Sequence, residues 1–540
     1  MRPSDVLLRL LFGLPRPVHR RIGVQRDIAV AMSDGVTLLT DRYYPIDNER
    51  APIVLVRTPY GRRGPLTRLY ARPLAFQGFQ VVIQSCRGTF GSGGCFDAFR
   101  NERADGLATH RWLRAQSWFS GDVATMGPSY LGVTQWAVAS EAGPALKALA
   151  PQVTASALRS SIYPGGSFSL DTALTWIYQV THQEGARPEV VRAARRARSI
   201  LTAARLHLPL ETADQAVTGR TVSFYQDWLR HEKPGDPWWE SVDFSARLGE
   251  VTAPAHLIGG WYDIFLPDLL ADYQRLRDAG RSPYLTIGPW SHVSLGLIPV
   301  AVRESIAWFR AHLLGDRSHL RESPVRVFVM GAGSWRALGR WPPALEGRRW
   351  HLQPEGGLSE RAPVESKPDR YLYDPSDPTP AVGGSSLSRN SGPRDNRALE
   401  SREDVLCYTS TRLDAPVEVI GPVGAELYVS STLAYADFHV RLCDVHPSGA
   451  SINVCDGLVR LACPDEGITG RKVRVELWAT AYRFPRGHRI RVQVSSGAHP
   501  RWARNPGTGD PLATAAVLRT AEQTVFHDPL HPSAILLPVH

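Results

Sequence analysis

The sequence contains little cysteine, and none of it is spaced for a metal site. Its 540 residues include only six cysteines, and no two of them form a C-x-x-C motif. Zinc ribbons and redox dithiols therefore have no support, and reduced thiols are expected. No H-E-x-x-H sequence occurs either. The sequence predicts no metal site and no other cofactor.

The sequence also lacks an apolar run long enough to cross a membrane, which takes about 20 residues. Residues 1–22 form an N-terminal extension with a short apolar series that Arg9 interrupts. The series comprises Val6, Leu7, Leu10, Leu11 and Leu14. No small-residue cleavage site follows, so we expect no signal peptide, no stable membrane insertion and a cytoplasmic protein. The extension predicts an amphipathic helix that packs on the protein body, with a membrane surface as the alternative.

Charge of either sign is not concentrated in long runs. The formal net charge is +10, and nearly all of the positive charge is arginine scattered along the chain. The densest run, Arg192 to Arg198, is short and is interpreted as a solvated helix face, because a nucleic-acid site needs its charge on one surface. We expect no nucleic-acid partner. Hydrophobic residues make up 43% and charged residues 21%, values typical of a soluble globular protein.

What the sequence does contain is an alternation of apolar runs and helical stretches. Residues 23–159 begin with a predicted hairpin and continue with buried strands separated by helices such as 103–115. The predicted strands are 28–31, 36–43, 53–57, 79–84 and 123–126. The pattern resumes over residues 246–320, with strands at 256–259 and 285–287. Strands that alternate with helices predict an α/β class and a doubly wound sheet in two parts.

Two other regions differ from this pattern. Residues 160–245 are helical and rich in aromatics, which predicts an inserted cap over the site, with a separate helical domain as the alternative. Residues 321–540 alternate like antiparallel strands after a Pro/Ser/Asp/Gly-rich stretch at 369–397 that predicts a long loop. The second region predicts an all-β C-terminal domain.

A candidate nucleophile lies where a predicted strand meets a helix, in the sequence MGPSYLG at 126–132. A sharp strand-to-helix turn exposes a serine hydroxyl beside helix N–H groups that stabilise an oxyanion. The strict G-x-S-x-G form is not met, because Leu131 stands at the position of the second glycine and Gly132 follows it. By itself the motif leaves Ser129 open as either a nucleophile or a helix N-cap.

Two later loops supply partners for a serine nucleophile. Serine needs a histidine base that a carboxylate orients, and in α/β hydrolases the chain order is serine, acid, histidine. Asp263 follows one predicted strand, in HLIGGWYD, and His292 follows the next, in YLTIGPWSH. Both lie where open α/β sheets bind ligands. We predict a triad of Ser129, Asp263 and His292, with Asp268 as the rival acid.

These motifs resemble the CocE/NonD hydrolase family, the cocaine-esterase and X-prolyl dipeptidyl-peptidase type of serine hydrolase. GPSYLG, GGWYDIF, IGPWSH and the upstream RTPYGR at 57–62 carry the resemblance, and further matching segments extend it over nearly the whole chain. The resemblance implies an α/β-hydrolase domain, a helical cap and a C-terminal jelly roll. It also implies an oxyanion hole formed by the Tyr60 hydroxyl and the Tyr130 N–H.

The resemblance implies a small-molecule ester or amide as the substrate, and the acyl group stays open. An X-Pro dipeptidyl-peptidase or an α-amino-acid ester hydrolase must bind an ammonium with carboxylates, which no recognisable spacing supplies. Aromatic residues favour an apolar group, and we predict Trp176, Trp261 and Phe265 as substrate-binding residues. A non-catalytic scaffold that binds through the jelly roll is the alternative from another class. A monomer and a homodimer both stay open.

Overall fold

The computed structural model describes residues 3–344, 347–388 and 390–540, without the side chains of residues 65–68. The described helices are α1 (Pro3–Phe12), α2 (Pro65–Phe76), α3 (Glu102–Arg114), α4 (Tyr130–Ala139), α5 (Leu158–Ile162), α6 (Leu170–His182), α7 (Arg187–Leu206), α8 (Ala213–Thr218), α9 (Ser223–Arg230), α10 (Leu266–Asp278), α11 (Leu297–Leu313) and α12 (Arg397–Glu400). None of these helices is long and apolar enough to cross a membrane.

Ten strands form the first sheet. They are β1 (Ile22–Ala31), β2 (Thr37–Pro45), β3 (Ile53–Thr58), β4 (Gln80–Ser85), β5 (Val123–Pro128), β6 (Leu146–Gln152), β7 (His256–Tyr262), β8 (Tyr284–Ser291), β9 (Val325–Val329) and β10 (Ser334–Leu338). Their order is β1-β2-β4-β3-β5-β6-β7-β8-β9-β10. The interior strands β4, β3 and β5 to β9 pair in parallel, whereas β1, β2 and β10 pair antiparallel at the edges.

The central strands are buried on both faces. Every residue of β3 and β4 is buried, which explains why their sequences IVLVRT and QVVIQS read as continuous rather than alternating apolar runs. Helices on both faces of a parallel sheet exclude water from both sides. The carboxyl ends of β5, β7 and β8 all meet at one edge, where the candidate site lies.

The first sheet extends further along the chain than expected. The predicted C-terminal domain began at residue 321, but β9 pairs with β8 and β10 pairs with β9. Residues 325–338 therefore belong to the hydrolase sheet. The sequence pattern does not reveal this pairing, because an apolar run such as VRVFVM fits a parallel strand as well as an antiparallel one, and the predicted domain bounds stay a prediction.

Helices α5 to α9 form an insertion between β6 and β7. The insertion includes four of the chain's short 3-10 segments and contributes buried aromatic residues to the main hydrophobic cluster, among them Phe168, Tyr225 and Trp239. It also contacts the C-terminal domain, since the Asp171 N–H donates to the Pro500 carbonyl. The predicted helical cap thus corresponds to an inserted helical region that packs on both other parts.

The C-terminal domain is largely antiparallel. Its strands are β11 (Gly347–Gln353), β12 (Gly357–Ser359), β13 (Asp369–Tyr373), β14 (Leu406–Thr409), β15 (Val417–Ser431), β16 (Tyr435–Val445), β17 (Ser451–Ala462), β18 (Ile468–Phe484), β19 (Arg489–Ser495), β20 (Ala521–Phe526) and β21 (Ala534–Pro538). The predicted loop at 369–397 was wrong at its start, because β13 pairs with β20 and buries Tyr371 and Tyr373.

Candidate active site

Ser129 occupies a strained corner between β5 and α4. Its backbone has φ +58° and ψ −126°, a conformation that costs a non-glycine residue about 1–3 kcal/mol. The Ser129 N–H donates to the Gln152 carbonyl at 2.8 Å, and the Thr154 hydroxyl donates to the Ser129 carbonyl at 2.8 Å. These bonds hold the corner. A turn of this kind raises the side chain clear of the sheet.

Two glycines make the corner sterically possible. A Cβ atom on Gly127, which has φ +144°, would lie 2.4 Å from the Leu131 Cβ. A Cβ on Gly132 would lie 2.3 Å from a side-chain carbon of Thr154. Gly132 therefore takes the role of the second glycine of the motif, because it lets the helix approach Thr154 closely. The departure from G-x-S-x-G at Leu131 leaves the corner intact.

The Ser129 side chain is engaged by a histidine rather than by the helix. Its Oγ lies 3.0 Å from His292 Nε2, and the residue makes no side-chain capping bond to α4. His292 Nδ1 lies 2.7 Å from Asp263 Oδ2. With Nδ1–H donated to the carboxylate, Nε2 is left to accept the serine proton. The three predicted residues are thus brought into one chain of hydrogen bonds.

Asp263 is held so that it can orient the ring. Only 1% of the Asp263 side chain is exposed, and its second oxygen accepts the Phe265 N–H at 2.8 Å. Asp263 directly follows β7, and His292 directly follows β8. The phenyl ring of Phe265 meets the imidazole of His292 edge to face at 5.5 Å. The arrangement can remove a proton from Ser129 and stabilise the resulting imidazolium.

Asp268, the rival acid, lies elsewhere. It is on α10, where its carboxyl group accepts hydrogen bonds from the hydroxyls of Ser160 and Ser161. Burial raises the pKa of Asp268 to about 6. Its neighbour Asp272 is bound in the same way by Ser156. The Asp268 carboxyl group therefore joins the cap to α10, and it makes no hydrogen bond to His292.

Tyr60 lies on the loop after β3 with its hydroxyl beside the serine. The phenol oxygen accepts the indole N–H of Trp176 at 2.9 Å, and Tyr60 lines the same cavity as Ser129. Burial raises the pKa of Tyr60 to about 12. The phenol is therefore neutral near pH 7 and keeps a proton to donate.

Tyr130 begins α4 directly after the serine. The N–H groups of the first helical turn have no partner within the helix, so the Tyr130 N–H is available beside the Ser129 Oγ. The Tyr130 hydroxyl is buried, donates to a Glu102 oxygen at 2.7 Å and accepts the Phe99 N–H at 2.9 Å. Glu102 is in turn paired with buried Arg57 at 2.8 Å. This network fixes the start of the helix.

A cavity of about 400 Å³ opens over Ser129 and His292. Residues of the hydrolase sheet, the helical cap and one loop of the C-terminal domain form its wall. Among the described side chains that line it, none is Asp, Glu, Lys or Arg. The wall is mainly apolar, with a few hydroxyl and amide groups such as those of Ser161, Thr175 and Gln179. A cavity of this kind suits a neutral ligand.

Two of the three predicted substrate-binding residues line the cavity. Trp176 stacks near Tyr130 with ring centroids 6.1 Å apart and an interplanar angle of 18°, and Phe265 lies against His292. Trp261 is not among the residues that line it, so the cavity gives no support to its predicted role. Its indole N–H donates to the Phe328 carbonyl at 2.7 Å, and its ring packs against Trp341. Trp261 of β7 thus packs toward β9 and the segment after β10.

The sequence did not single out several cavity residues. Leu387 comes from a loop of the C-terminal domain, and Val293 and Leu295 follow the histidine. Leu295 is 79% exposed at the rim. Its position three residues after the IGPWSH motif could have indicated it. No sequence signal marks Leu387, because only tertiary packing brings that loop to the site.

One group of described side chains could hold a metal ion, and it lies away from the cavity. Asp444, His446 and His488 of the C-terminal domain present ligand atoms within 4.8 Å of one another. The Asp444 carboxylate already accepts hydrogen bonds from Tyr482 at 2.8 Å and from His488 at 2.9 Å. A structural hydrogen-bond network therefore accounts for the group.

Comparison with known proteins identifies the family. Residues 34–294 match the family described as X-Pro dipeptidyl-peptidase (S15 family), and residues 318–536 match the X-Pro dipeptidyl-peptidase C-terminal non-catalytic domain. The chain is 35% identical to the cocaine esterase of Rhodococcus sp. (strain MB1 Bresler), over 97% of this chain and 99% of that protein. The chain belongs to the CocE/NonD family of serine hydrolases. The predicted family and the prediction of a hydrolase are confirmed.

Solved structures support the fold of this CocE/NonD hydrolase. An α-amino acid ester hydrolase superposes with a TM-score of 0.79 at 22% identity, covering 98% of each chain. A CocE/NonD family hydrolase from Staphylococcus aureus superposes with a TM-score of 0.71 at 17% identity, covering 96% of this chain and 94% of that one. The α/β-hydrolase sheet, the helical insertion and the C-terminal β domain are confirmed. The jelly-roll topology stays a prediction.

Proposed function

We propose that this hydrolase cleaves carboxylic esters with a neutral, apolar acyl group through a Ser129 acyl-enzyme. The observation that carries the proposal is a cavity above a Ser129–His292–Asp263 hydrogen-bond chain, with no Asp, Glu, Lys or Arg among the described side chains that line it. The name of its 35% identical relative, cocaine esterase, agrees with an ester substrate.

In the acylation step, His292 Nε2 takes the Ser129 proton as the oxygen attacks the ester carbonyl carbon. The new Oγ–C bond forms a tetrahedral intermediate whose oxygen carries the negative charge. His292 then gives its proton to the leaving alcohol as the ester C–O bond breaks. In deacylation, His292 takes a proton from water, the hydroxide adds to the acyl carbon, and the acid leaves as Ser129 regains its proton. Asp263 keeps the ring in the required tautomer throughout.

Two donors stabilise the oxyanion in this mechanism. The Tyr60 hydroxyl comes from the loop after β3, and the Tyr130 N–H comes from the first turn of α4. Both are held before the substrate binds, Tyr60 by Trp176 and Tyr130 by Glu102. Each such donor contributes about 3 kcal/mol to the stabilisation of the transition state.

The cavity wall favours a neutral acyl group over an α-amino acyl group. An ammonium removed from water needs a carboxylate to compensate its lost hydration, and the described side chains lining the cavity include none. Asp268 lies behind Ser161, whose hydroxyl it already binds at 2.6 Å. An X-Pro dipeptidyl-peptidase or an α-amino-acid ester hydrolase would lack its ammonium site here.

A matched pair of esters tests the substrate class. p-Nitrophenyl 3-phenylpropanoate and p-nitrophenyl phenylalaninate differ only by the α-ammonium, and we expect kcat/KM to favour the neutral ester by about tenfold or more, since an unpaired buried charge is costly. Ala-Pro p-nitroanilide should be a still poorer substrate. A preference for either amino-bearing compound would overturn the proposed substrate class.

The role of Ser129 is tested separately. Ser129→Ala should lose all but a trace of ester hydrolysis, and a fluorophosphonate probe should label the wild type at Ser129 and leave the variant unlabelled. A variant that folds, fails to label and retains hydrolysis would refute the mechanism. Failure of the wild type to label would favour the non-catalytic scaffold.

A further inference from the structure

The N-terminal helix α1 exposes leucine on its outer face. Leu7, Leu10 and Leu11 are 58%, 62% and 70% exposed, and their spacing places them on one side of the helix. A surface helix of a globular protein normally turns such residues inward. The three leucines form a continuous patch, which we call the α1 leucine face.

The two charged residues of α1 point the other way. Asp5 is only 10% exposed and binds Arg72 of α2 through two hydrogen bonds of 2.7 and 2.6 Å. Arg9 is half-buried, with its Nε fully shielded from solvent. The ion pair with Arg72 means that α1 cannot rotate its leucines inward without breaking a bidentate contact. The apolar face is therefore held outward by the fold.

The end of the helix is also fixed. The Arg303 guanidinium of α11 donates to the Phe12 carbonyl, and Leu14 is buried directly after the helix. Contacts at Asp5 and at the Phe12 carbonyl thus attach both ends of α1 to the protein body.

Exposed basic residues follow the α1 leucine face along the chain. Arg16, Arg20 and Arg21 follow the helix and are all exposed. The nearby carboxylate of Asp47 is hydrogen-bonded to His19, which lowers the pKa of Asp47. The single acidic residue of α1, Asp5, is turned inward. An apolar face followed closely in the chain by exposed arginines complements a surface of lipid tails beneath anionic headgroups.

We propose that α1 and the following arginines bind the surface of an anionic membrane. The leucines would enter the boundary between headgroups and acyl chains, while the arginines contact lipid phosphates. Since no described helix can cross a membrane, this contact is peripheral and reversible. A single short helix gives modest affinity, which the arginines strengthen.

The location of α1 connects this contact to the catalytic cavity. The helix packs on α2 and α11, and the same two helices line the cavity through Tyr70 and Ile298. Tyr70 lies within one helical turn of Arg72, the anchor of Asp5. Membrane binding would hold the cavity close to the lipid phase, where apolar esters concentrate. The proposal concerns binding and does not depend on the proposed substrate class.

Co-sedimentation with vesicles tests the proposal. The full-length protein should bind vesicles of phosphatidylcholine and phosphatidylglycerol, and it should bind phosphatidylcholine alone more weakly. The triple variant Leu7→Ser, Leu10→Ser, Leu11→Ser should lose about tenfold or more of its partitioning while keeping ester hydrolysis in solution. Replacing Arg16, Arg20 and Arg21 with serine should abolish the preference for phosphatidylglycerol.

Two control variants test whether exposed leucines or exposed arginines elsewhere on the surface have the same effect on vesicle binding. Leu372→Ser with Leu530→Ser removes leucines of the C-terminal domain that are 62% and 80% exposed. Arg192→Ser, Arg195→Ser and Arg196→Ser removes exposed arginines of α7, none of which has an ion pair among the described residues. Both controls should bind vesicles like the wild type.

Three results would overturn the proposal. These are a wild type that does not bind anionic vesicles, a leucine variant that binds as well as the wild type, and an α7 variant that loses binding as much as the α1 variants. Light scattering tests whether a second copy of the chain, rather than a membrane, binds the α1 leucine face. A wild-type dimer that the leucine substitutions dissociate would assign the α1 leucine face to a second copy of the chain.

Discussion

The indole N–H of Trp176 donates a 2.9 Å hydrogen bond to the phenol oxygen of Tyr60. Trp176 belongs to cap helix α6, and Tyr60 to the loop after β3 of the sheet. The bond occupies a lone pair of the phenol oxygen, which leaves the hydroxyl proton free to point toward Ser129 and the developing oxyanion. The cap therefore orients a group that belongs to the sheet, in addition to lining the cavity.

Trp176→Phe should slow turnover. The change removes the bond to Tyr60 and keeps an aromatic wall, so we expect the loss of about 1 kcal/mol, or roughly fivefold in kcat, with a small change in KM. Steady-state kinetics on a p-nitrophenyl ester measures both constants. Trp228→Phe is the matched control, because Trp228 stacks on Trp176 and lines the cavity. An effect of Trp176→Phe on KM alone would mean that Trp176 acts only as a substrate contact.

Tyr60→Phe should be more damaging than Trp176→Phe. It removes one of two proposed oxyanion donors and leaves the ring in place, so kcat should fall by about 100- to 1000-fold with KM nearly unchanged. Labelling by a fluorophosphonate should persist at a reduced rate, because Ser129 and His292 are intact. A variant with wild-type kcat would remove Tyr60 from the mechanism.

Asp263→Asn and Asp268→Asn should differ strongly. The first leaves His292 without a carboxylate on Nδ1 and favours the wrong tautomer, so kcat should fall by about 10⁴-fold. The second changes a carboxyl group that binds Ser160 and Ser161 and makes no bond to the histidine, so kcat should stay close to that of the wild type. Steady-state measurement of kcat for ester hydrolysis by both folded variants decides which of the two acids orients His292. The opposite ranking would reverse the assignment.

Asp272 should make stability depend on pH. Burial raises the pKa of Asp272 to about 7 and that of Asp268 to about 6, whereas both titrate near 4 in the unfolded chain. The folded state thus favours their protonated forms. Their contribution to stability is fully present below about pH 4 and is lost as pH rises through about 6 and 7.

Asp272→Asn, which stays neutral, should therefore flatten this dependence. Relative to the wild type, the fall in the free energy of unfolding between acidic pH and about pH 8 should shrink by on the order of 2–4 kcal/mol. Guanidinium unfolding at several pH values measures it. The matched control is Asp278→Asn, which changes an exposed residue of the same helix. Equal pH dependence in the wild type and Asp272→Asn would contradict the prediction.

Trp261 and Phe265 should separate stability from substrate binding. Trp261→Phe removes a buried indole and its bond to the Phe328 carbonyl, so it should lower the free energy of unfolding by about 1–3 kcal/mol and leave KM unchanged. Phe265→Ala opens the cavity wall beside His292 and should raise KM for apolar esters. Thermal denaturation and steady-state kinetics on both variants test the contrast. A raised KM in Trp261→Phe would return Trp261 to the substrate-binding set.

Local patterns in the sequence predicted most strands of the first sheet, although not β6, and they placed Ser129, Asp263 and His292 at strand ends. Each follows a strand that is recognisable from its apolar run, and the carboxyl ends of neighbouring parallel strands meet at one edge. The limits of the pattern appear at β9 and β13. An apolar run specifies a buried strand without specifying which sheet it joins, because strand pairing is a long-range choice.

The sequence by itself determined the family, the α/β class and the residue types that the chemistry requires. Tertiary structure alone decided three things: that Trp261 faces a strand interface while Phe265 faces the cavity, that Leu387 of another domain reaches the site, and that the leucines of α1 point outward. A side chain's direction depends on what packs against its element. In α1 the ion pair between Asp5 and Arg72 determines that direction, and those two residues lie far apart in the chain.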